Sequence, residues 1–315
     1  MVKKDNKNFI SVVVCTYNRG KLLTKCLQSL TRQTVSASLY EVIIIDNNST
    51  DDTHKIASQF IKNNNNFNIY IEKQQGLSYA RNQGWRKAKG NYIAYIDDDA
   101  IADKEWLKHA YRIIKEYSPD IFGGPSYPYY LNSKPIWFKD EYETKKLSDT
   151  DRFLNKDEFI AGLNFFVSKK LLSELEGFNT QLGMIGNKIS YHEETDFIIR
   201  AWNKHSSLKV YYSLPLKIDH IIRANKMTIS FILKSNFSSG KKYVQINKSN
   251  QKNPLNQKLK SLPLLLLSLI RIPGCLLKGL FRDKNKYRYY KNYIKENLGG
   301  HFFSLGKVVG NLRNT

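Results

Sequence analysis

Along the first two hundred residues, segments with the apolar pattern of buried strands alternate with segments of helical periodicity. Apolar, largely β-branched runs at Phe9–Cys15, Glu41–Ile45 and Tyr92–Ile96 predict buried strands. Between them, apolar residues recur with helical spacing over Asn18–Leu30, and Leu77–Lys87 forms a second predicted helix after a glycine. This order predicts an α/β fold whose central sheet is mainly parallel and carries helices on both faces.

The rest of this region continues the alternation, apart from one long break. Between Gly123 and Asp157, prolines and aromatic residues replace the regular pattern, and loops of that length inside a compact domain are usually functional. The other predicted elements are a helix through Phe60, the strand Asn68–Ile71, the helix Lys104–Tyr117, the strands Asp120–Phe122 and Gly162–Val167, the helix Lys169–Glu174, a helix around His192–Asn203 and the strand Leu208–Tyr212.

A change of composition near Ala224 predicts a division into an α/β domain, residues 1–224, and a helical C-terminal region, residues 225–315. The second part contains the apolar run Leu262–Leu280, which is interrupted by two prolines, Arg271 and Lys278. A helix that crosses a bilayer needs about 20 largely uncharged residues, and Arg or Lys near its centre costs roughly 2.5–3.5 kcal/mol. We therefore expect this run to lie on a membrane interface or to pack against the protein, and not to cross a membrane.

The positive charge of the chain, +22 in total, is concentrated near its end. Residues 221–315 contain 19 Lys and Arg but only two acidic residues, which gives a local charge of +17 and leaves +5 for residues 1–220. A polycation of this kind attracts nucleic acid or an anionic membrane surface. Because the nearly neutral body and its acidic clusters would repel a phosphate backbone, we expect an anionic membrane and no nucleic acid as the partner.

The cysteines and the amino-terminal residues indicate in which cellular compartment the protein lies. Three cysteines at scattered spacing indicate a reducing environment, and the first residues lack the apolar stretch of a signal peptide. With the basic tail, these features predict a cytoplasmic protein that is peripheral on the inner face of the cell membrane.

Three consecutive aspartates, Asp97-Asp98-Asp99, follow directly after the apolar run Tyr92–Ile96. Carboxylates at the end of a buried strand are costly unless a cation or hydrogen-bond donors meet them. In an open α/β sheet, ligands bind at the carboxyl ends of the strands, and oxygen ligands there suit Mg²⁺ or Mn²⁺. The sequence therefore favours a metal and phosphate site here, and an acidic turn is the alternative.

Polar segments also stand at the ends of the other predicted elements, so all of them can converge on one edge of the sheet. The order and the residue sequence of these polar segments, including Asp97–Asp99, resemble the inverting family 2 glycosyltransferases with the GT-A fold, over roughly Phe9 to Tyr212. The later sequence, with His220, Arg223 and a basic helical tail, is similar to members from bacterial exopolysaccharide gene clusters. The segments are Thr16-Tyr17-Asn18-Arg19, Asp46-Asn47-Asn48, Gly76–Gly84 and His192–Asp196.

The resemblance implies a GT-A, Rossmann-like fold with a C-terminal helical extension. It implies transfer of a sugar, with inversion, from a nucleoside diphosphate donor (a UDP-sugar favoured) to a glycan or polyprenyl-linked acceptor in cell-surface polysaccharide biosynthesis. It also implies a divalent cation, Mn²⁺ or Mg²⁺, bound by Asp99, with His220 as a further candidate ligand whose alternative is a structural role. The nucleotide-binding residues that it implies are Thr16, Tyr17, Asn18, Arg19, Asp46, Asn48, Arg81, Asp97 and Asp98.

The acidic pair Glu193-Glu194 departs slightly from the family, whose members usually carry Glu-Asp there, with the second carboxylate as general base. We expect Glu194 to be the base, with Glu193 as the second candidate because the longer side chain leaves the register open. The alternative is that both are first-turn residues favoured by the helix dipole. Asp196 and Arg200, four residues apart, predict an ion pair on the helix surface.

Other interpretations remain open from the sequence. The loop aromatics Trp137, Phe138 and Tyr142 are candidates for stacking on an acceptor sugar, and core packing under the loop is the competing account. Arg81 could pair structurally with Asp46 or Asp51. A metal-dependent nucleotidyltransferase would also use paired aspartates but lacks a Gly-rich triphosphate loop here, and the pI of about 9.7 suggests a basic nucleic-acid-binding protein as a further alternative.

Overall fold

A computed structural model describes residues 9–186, 188–246 and 254–313, which divide into two compact units. The first unit consists of the described residues through Tyr129, together with Glu143–Gln181 and Glu193–Ile221. The second consists of Tyr130–Tyr142, Leu182–His192 and the described residues from Ile222 onward. The division predicted near Ala224 stays a prediction; in the structure the first unit ends at Ile221, and two earlier segments belong to the second unit.

The first unit contains all the described strands and the helices that alternate with them. The strands are β1 (Ile10–Thr16), β2 (Tyr40–Asp46), β3 (Phe67–Ile71), β4 (Tyr92–Ile96), β5 (Ala100–Ala102), β6 (Ile121–Gly123), β7 (Ser126–Tyr129), β8 (Arg152–Phe153), β9 (Asn164–Ser168), β10 (Val210–Tyr212) and β11 (Ile218–Ile221). The helices are α1 (Gly20–Thr31), α2 (Thr53–Asn63), α3 (Leu77–Lys87), α4 (Trp106–Tyr117), α5 (Lys169–Glu174) and α6 (Glu193–Lys204).

Eight strands form the central sheet in the order β3-β2-β1-β4-β9-β6-β10-β8. The first four run parallel, β9 is antiparallel to both of its neighbours, and β10 is parallel to β6 and antiparallel to β8. A small second sheet has the order β5-β11-β7. The predicted α/β fold with a mixed, mainly parallel sheet is thus confirmed, whereas the small sheet was not foreseen.

Helices cover both faces of the central sheet because side chains along each strand alternate between the faces. Val12 and Val14 of β1 pack in one buried cluster with residues of α1 and α4, and Val13 packs in another with residues of α3 and α6. Helix α3 lies close to β1, since a Cβ atom at Gly84 would come 2.4 Å from the Val13 Cγ1 atom. Burial on both faces leaves the strand ends as the place for polar side chains.

Asn164, at the start of β9, ties three segments together through a buried side chain. Its Oδ1 accepts a hydrogen bond from Trp106 Nε1 at 3.0 Å, and its Nδ2 donates to the carbonyls of Leu216 at 2.6 Å and Pro125 at 3.3 Å. Each of these partners needs a hydrogen bond in the interior, because an unpaired buried polar group is costly. The amide therefore fixes α4 and the chain before β7 and β11 against the central sheet.

The second unit is built from helices. They are α7 (Ile229–Ile246), α8 (Pro254–Leu280), α9 (Tyr290–Tyr293) and α10 (Gly299–Arg313), with 3₁₀ turns at Asp140–Tyr142 and Ala224–Met227 and a π-helical turn at Ile294–Leu298. Glycines let α7 and α10 approach closely, since a Cβ atom at Gly306 would meet the Phe237 carbonyl oxygen at 2.0 Å. No helix in the described ranges combines the length and the apolar character that membrane crossing requires.

We predict that replacing Asn164 with the similarly sized leucine lowers the free energy of unfolding by about 3 kcal/mol, because the buried Trp106 N–H and the Leu216 carbonyl lose their hydrogen bonds to Asn164. Urea unfolding followed by circular dichroism measures this loss. The matched control is Asn91→Leu, at an exposed position, which should change the free energy by less than about 0.5 kcal/mol. Equal effects of the two substitutions would contradict the role assigned to Asn164.

Candidate active site

The loops that follow β1 and β2 are fastened to each other at the carboxyl edge of the sheet. Asn18 and Asn48 have φ angles of 52° and 63°, a left-handed conformation that asparagine tolerates better than most residues. The Thr50 N–H donates to Asn18 Oδ1 at 2.7 Å, and the Asn18 N–H donates to Ser49 Oγ at 3.0 Å. The predicted nucleotide-binding segments around residues 16–19 and 46–48 therefore lie side by side, with Tyr17 half-buried and Asn48 exposed.

Asp46 is buried at the end of β2, and both of its carboxylate oxygens have partners. Oδ1 accepts a hydrogen bond from the Ser49 N–H at 2.9 Å, and Oδ2 lies 3.1 Å from His54 Nδ1. No role for His54 was predicted, because a histidine in the first turn of a helix carries no pattern that points to a strand end. Its position makes it the orienting partner of Asp46.

Asn47 is a second residue that the sequence reasoning missed. Its side-chain amide donates to the carbonyls of Glu72 and Gln74 at 3.0 and 2.7 Å, and its Oδ1 accepts from the Gly76 N–H at 2.8 Å. It thereby holds the segment between β3 and α3 against the end of β2. The run of polar residues after Asp46 was its only signal in the sequence.

Arg19, Asp98 and Asp99 form a compact charged group after β1 and β4. The Arg19 Nη1 atom lies 2.8 Å from Asp98 Oδ1 and 3.3 Å from Asp99 Oδ2. Both aspartates are buried, and burial raises the pKa of Asp98 to about 6 while the Arg19 guanidinium opposes that shift. The same ion pair raises the pKa of Arg19. The arginine is the cation that meets the strand-end carboxylates, as the sequence required.

His220 lies beside this group because of strand pairing. In the small sheet it stands opposite Ala100, and the Ile221 N–H donates to the Asp99 carbonyl at 2.7 Å. Its Nε2 atom is 3.5 Å from Asp99 Oδ1. Two residues that are far apart in sequence, both predicted as metal ligands, are thus brought together.

The donor atoms of this pair fit a divalent cation in part. A carboxylate oxygen and an imidazole nitrogen are suitable ligands for Mn²⁺, and Mn²⁺ or Mg²⁺ usually completes its shell with substrate phosphates and water. Among the described side chains, no three acidic, histidine or cysteine groups are gathered into a complete metal cluster. The chain thus offers Asp99 and His220 and leaves the other positions of such a shell to a ligand.

Arg81 is the buried centre of a second charged group. Its Nη1 donates to Glu193 Oε1 at 2.7 Å, and its Nη2 lies 3.4 Å from Asp97 Oδ1 and 3.2 Å from the Gly162 carbonyl. The guanidinium also lies over the rings of Tyr95 and Phe178, at 5.7 and 5.5 Å from their centroids. The structural alternative that paired Arg81 with Asp46 or Asp51 is therefore wrong about the partners.

The two glutamates at the start of α6 have different surroundings. Glu193 is buried, and burial together with the neighbouring Glu194 charge raises its pKa to about 8, although Arg81 opposes the shift. Glu194 is only partly buried, and a Cβ atom at Gly162 would come 3.3 Å from its Cδ atom. Farther along the helix, Arg200 Nε pairs with Asp196 Oδ2 at 2.8 Å, which confirms the predicted i,i+4 ion pair, although Asp196 is buried and does not lie on the helix surface as expected.

The aromatic residues predicted to bind an acceptor lie in the second unit. Trp137 and Phe138 are buried in a cluster with Ile222, Met227 and Ile232, and the Trp137 carbonyl accepts a hydrogen bond from Asn292 Nδ2. Their burial favours the packing account. Tyr142 is partly exposed and donates to Glu296 at 2.7 Å, so an acceptor role for it stays a prediction.

Comparison with known proteins gives consistent matches. A profile of glycosyl transferase family 2 matches residues 11–176, more than half of the chain. Glycosyltransferase AglE of Haloferax volcanii is 28% identical over 239 residues, which cover 76% of this chain and 74% of that protein. The glucosyl-dolichyl phosphate glucuronosyltransferase of the same organism is 25% identical over 240 residues, 73% of this chain and 75% of that protein.

A solved structure has a similar fold. The mannosyltransferase PcManGT from Pyrobaculum calidifontis, in complex with GDP-Man and Mn²⁺, has a TM-score of 0.65 at 15% identity, covering 99% of this chain and 89% of that one. In two other curated relatives, glycosyltransferases of Streptococcus pneumoniae, the matched part covers only 21% and 40% of the relative's length.

We predict that Glu193 makes the stability of the protein depend on pH. Because its pKa rises from an ordinary 4.5 to about 8 on folding, the folded chain holds more protons than the unfolded chain between these values. Its contribution to stability is present at low pH and is lost as the pH rises toward 8. Relative to wild type, Glu193→Gln should therefore gain roughly 2–4 kcal/mol of unfolding free energy between pH 5 and pH 8.

Urea unfolding at a series of pH values measures this difference, and Glu176→Gln, at an exposed position, is the matched control with a flat profile. A difference between Glu193→Gln and wild type that does not change with pH would contradict the buried, proton-holding state of Glu193.

Proposed function

Because this chain belongs to glycosyl transferase family 2 and has the GT-A fold, we propose that it transfers a sugar from a nucleoside diphosphate donor to a glycan or lipid-linked glycan, with inversion at the anomeric carbon. The observation that carries the proposal is the meeting of two charged groups, one around Arg81 and one around Arg19, at the carboxyl edge of the parallel strands. That edge is where ligands bind in open α/β sheets.

On the donor side, the loops after β1 and β2 are proposed to hold the nucleoside. Tyr17 is half-buried there, and Asp46 is oriented by the Ser49 N–H and His54, so that its carboxylate can accept a hydrogen bond from a base or ribose. Asp97, which is partly exposed beside Arg81, is proposed to face the ribose. A UDP-sugar is the favoured donor on family likeness, and GDP-sugars are the next candidates because PcManGT binds GDP-Man.

Asp99 and His220 are the residues that would hold a divalent cation. Such a cation stabilises the negative charge that develops on a departing diphosphate. Arg19 Nη1 lies 2.8 Å from Asp98 Oδ1 and 3.3 Å from Asp99 Oδ2 and holds both side chains in position. The two carboxylates therefore need not rearrange when the donor binds. The proposal assigns Arg19 and Asp98 to this positioning role.

Glu194 is proposed as the general base. A base must be unprotonated and must reach the acceptor; the partly exposed Glu194 meets the second requirement, and Gly162 leaves space beside its carboxylate. Glu193 holds its proton up to a pH of about 8 and is buried against Arg81. Removal of the acceptor proton by Glu194 lets the hydroxyl oxygen bond to the anomeric carbon as the bond to the diphosphate breaks, which inverts the configuration.

The acceptor is proposed to be a glycan or a polyprenyl-linked glycan of the cell surface. The glucuronosyltransferase relative is named for a dolichyl phosphate-linked acceptor, which supports a lipid-linked substrate class. A role in polysaccharide biosynthesis follows from the same proposal.

We predict that release of nucleoside diphosphate from a UDP- or GDP-sugar requires a divalent cation and Asp99. Excess EDTA, and separately Asp99→Asn, should reduce turnover by roughly 10²-fold or more, because several kcal/mol of charge stabilisation are lost. Asp149→Asn, at an exposed position in the first unit, is the matched control. Full activity in EDTA would refute the cation assignment, and no release from any nucleotide sugar by wild type would refute the proposed function.

Glu194→Gln is predicted to slow transfer to an acceptor by about 10²–10⁴-fold, the usual scale for a general base, while donor binding changes little. Single-turnover transfer and calorimetric binding of the donor separate the two effects. Glu193→Gln serves as the comparison and should retain more transfer activity. If Glu193→Gln loses transfer and Glu194→Gln does not, the base is Glu193.

A further inference from the structure

Helix α8 has apolar residues on two opposite faces, and only one of them is packed. The inward face carries Ser268, Ile272, Cys275 and Gly279, spaced four, three and four residues apart. Ile272 and Cys275 pack with Ile294 and Leu298 of the π-helical turn. Gly279 lets the helix approach closely, since a Cβ atom there would lie 2.7 Å from the rings of Tyr290 and Tyr293. This face accounts for the attachment of α8 within the second unit.

The outward face is apolar and exposed. At about 100° per residue, Leu266, Ile270 and Leu277 lie roughly half a turn around the helix from the inward set, and Leu280 lies about a third of a turn from it. The side chains of the outward face are large and apolar, and such side chains are normally buried when a protein folds. Soluble monomers rarely expose a contiguous apolar surface of this kind. Its members and their exposed fractions are Leu266 (65%), Ile270 (71%), Leu277 (62%), Leu280 (62%) and Phe281 (89%).

Basic residues border this outward face. Arg271 and Lys278 are exposed on α8, seven residues apart, between the inward and outward sets. Just beyond the helix, the chain carries further exposed cations at Lys284, Lys286 and Arg288. Long basic side chains at the edge of an apolar face can reach phosphates while their stems stay in an apolar layer.

We propose that the outward face of α8, defined by Leu266, Ile270, Leu277 and Leu280 together with Phe281 directly after the helix, is a docking surface for an anionic lipid bilayer. An amphipathic helix binds in this way by burying its apolar face about 5–10 Å into the headgroup boundary while its basic flank attracts anionic lipids. Because residues 221–315 carry a net charge of +17, they attract a membrane surface that is negatively charged. The inference does not depend on sugar transfer, although a lipid-linked acceptor would be met at the same surface.

A second copy of the chain is a poorer occupant of this face. Two outward faces brought together would also bring Arg271 and Lys278 of each copy close to the same charges of the other, and like charges at an interface are costly. A bilayer that contains anionic lipid supplies an apolar layer and negative charge together. The charge pattern therefore favours the membrane.

The test uses the full-length protein, without any nucleotide sugar, and vesicles of phosphatidylcholine either alone or mixed with phosphatidylglycerol. Wild type should co-sediment with the mixed vesicles at low salt, bind the neutral ones much more weakly, and be released by high salt. The double variant Ile270→Glu/Leu277→Glu should lose about tenfold or more of its binding, because two apolar contacts become charged. Arg271→Gln/Lys278→Gln should weaken binding to the mixed vesicles only.

The matched control is Ile136→Glu, which changes an isoleucine that is 80% exposed in the second unit but outside α8, and it should bind like wild type. A second measurement places an NBD fluorophore on Leu277→Cys or Ile136→Cys; emission should rise with mixed vesicles only for the label at position 277. Circular dichroism verifies that each variant is folded.

Three results would overturn the proposal. They are an absence of binding to the mixed vesicles, binding that is equal for neutral and mixed vesicles, and equal loss of binding for Ile136→Glu and the double variant. A fourth would replace it: if sedimentation shows a wild-type dimer that Ile270→Glu/Leu277→Glu dissociates while vesicle binding stays unchanged, a second copy covers the face.

Discussion

The site depends on two arginines that meet the acidic side chains at the carboxyl edge of the sheet. A buried guanidinium, Arg81, contacts Glu193 at 2.7 Å and Asp97 at 3.4 Å, and it connects the end of β4 with the start of α6. Without it, the buried Glu193 side chain would lose its hydrogen-bond donor and the partly exposed Asp97 would lose its neighbouring cation. Leaving a buried polar group without a partner costs about 1–3 kcal/mol. The same principle operates at Arg19, which meets Asp98 and Asp99. The acidic edge of the sheet can therefore exist before any ligand arrives.

Much of this arrangement could be predicted from the sequence, because periodicity and strand ends are local signals. The strands and helices of the first hundred residues were predicted to within a few residues, and helices α3 and α5 match their predicted bounds. The family resemblance is confirmed by the match over residues 11–176. The acidic run and the Glu pair were found because several carboxylates at element ends require an explanation in any fold.

The remainder depends on contacts between residues far apart in the chain, which a pattern cannot show. The antiparallel insertion of β9 and the small sheet of β5, β11 and β7 are set by pairing between distant segments. The sequence could not tell that Trp137 and Phe138 would be buried in the second unit, nor that His54 would reach Asp46, because packing partners decide both. Packing partners also decide which residues of α8 are buried. In the sequence the helix shows a single apolar run, and its packed face cannot be told from its exposed face.

The central claim is a direct displacement at the anomeric carbon, and the configuration of the first product tests it most directly. With a donor of known α configuration and the acceptor or water that the protein uses, time-resolved proton NMR records the anomeric signal before mutarotation. The account predicts that the β product appears first, since one displacement assisted by a single base inverts the centre. Initial formation of the α product would contradict the single displacement and with it the role assigned to Glu194.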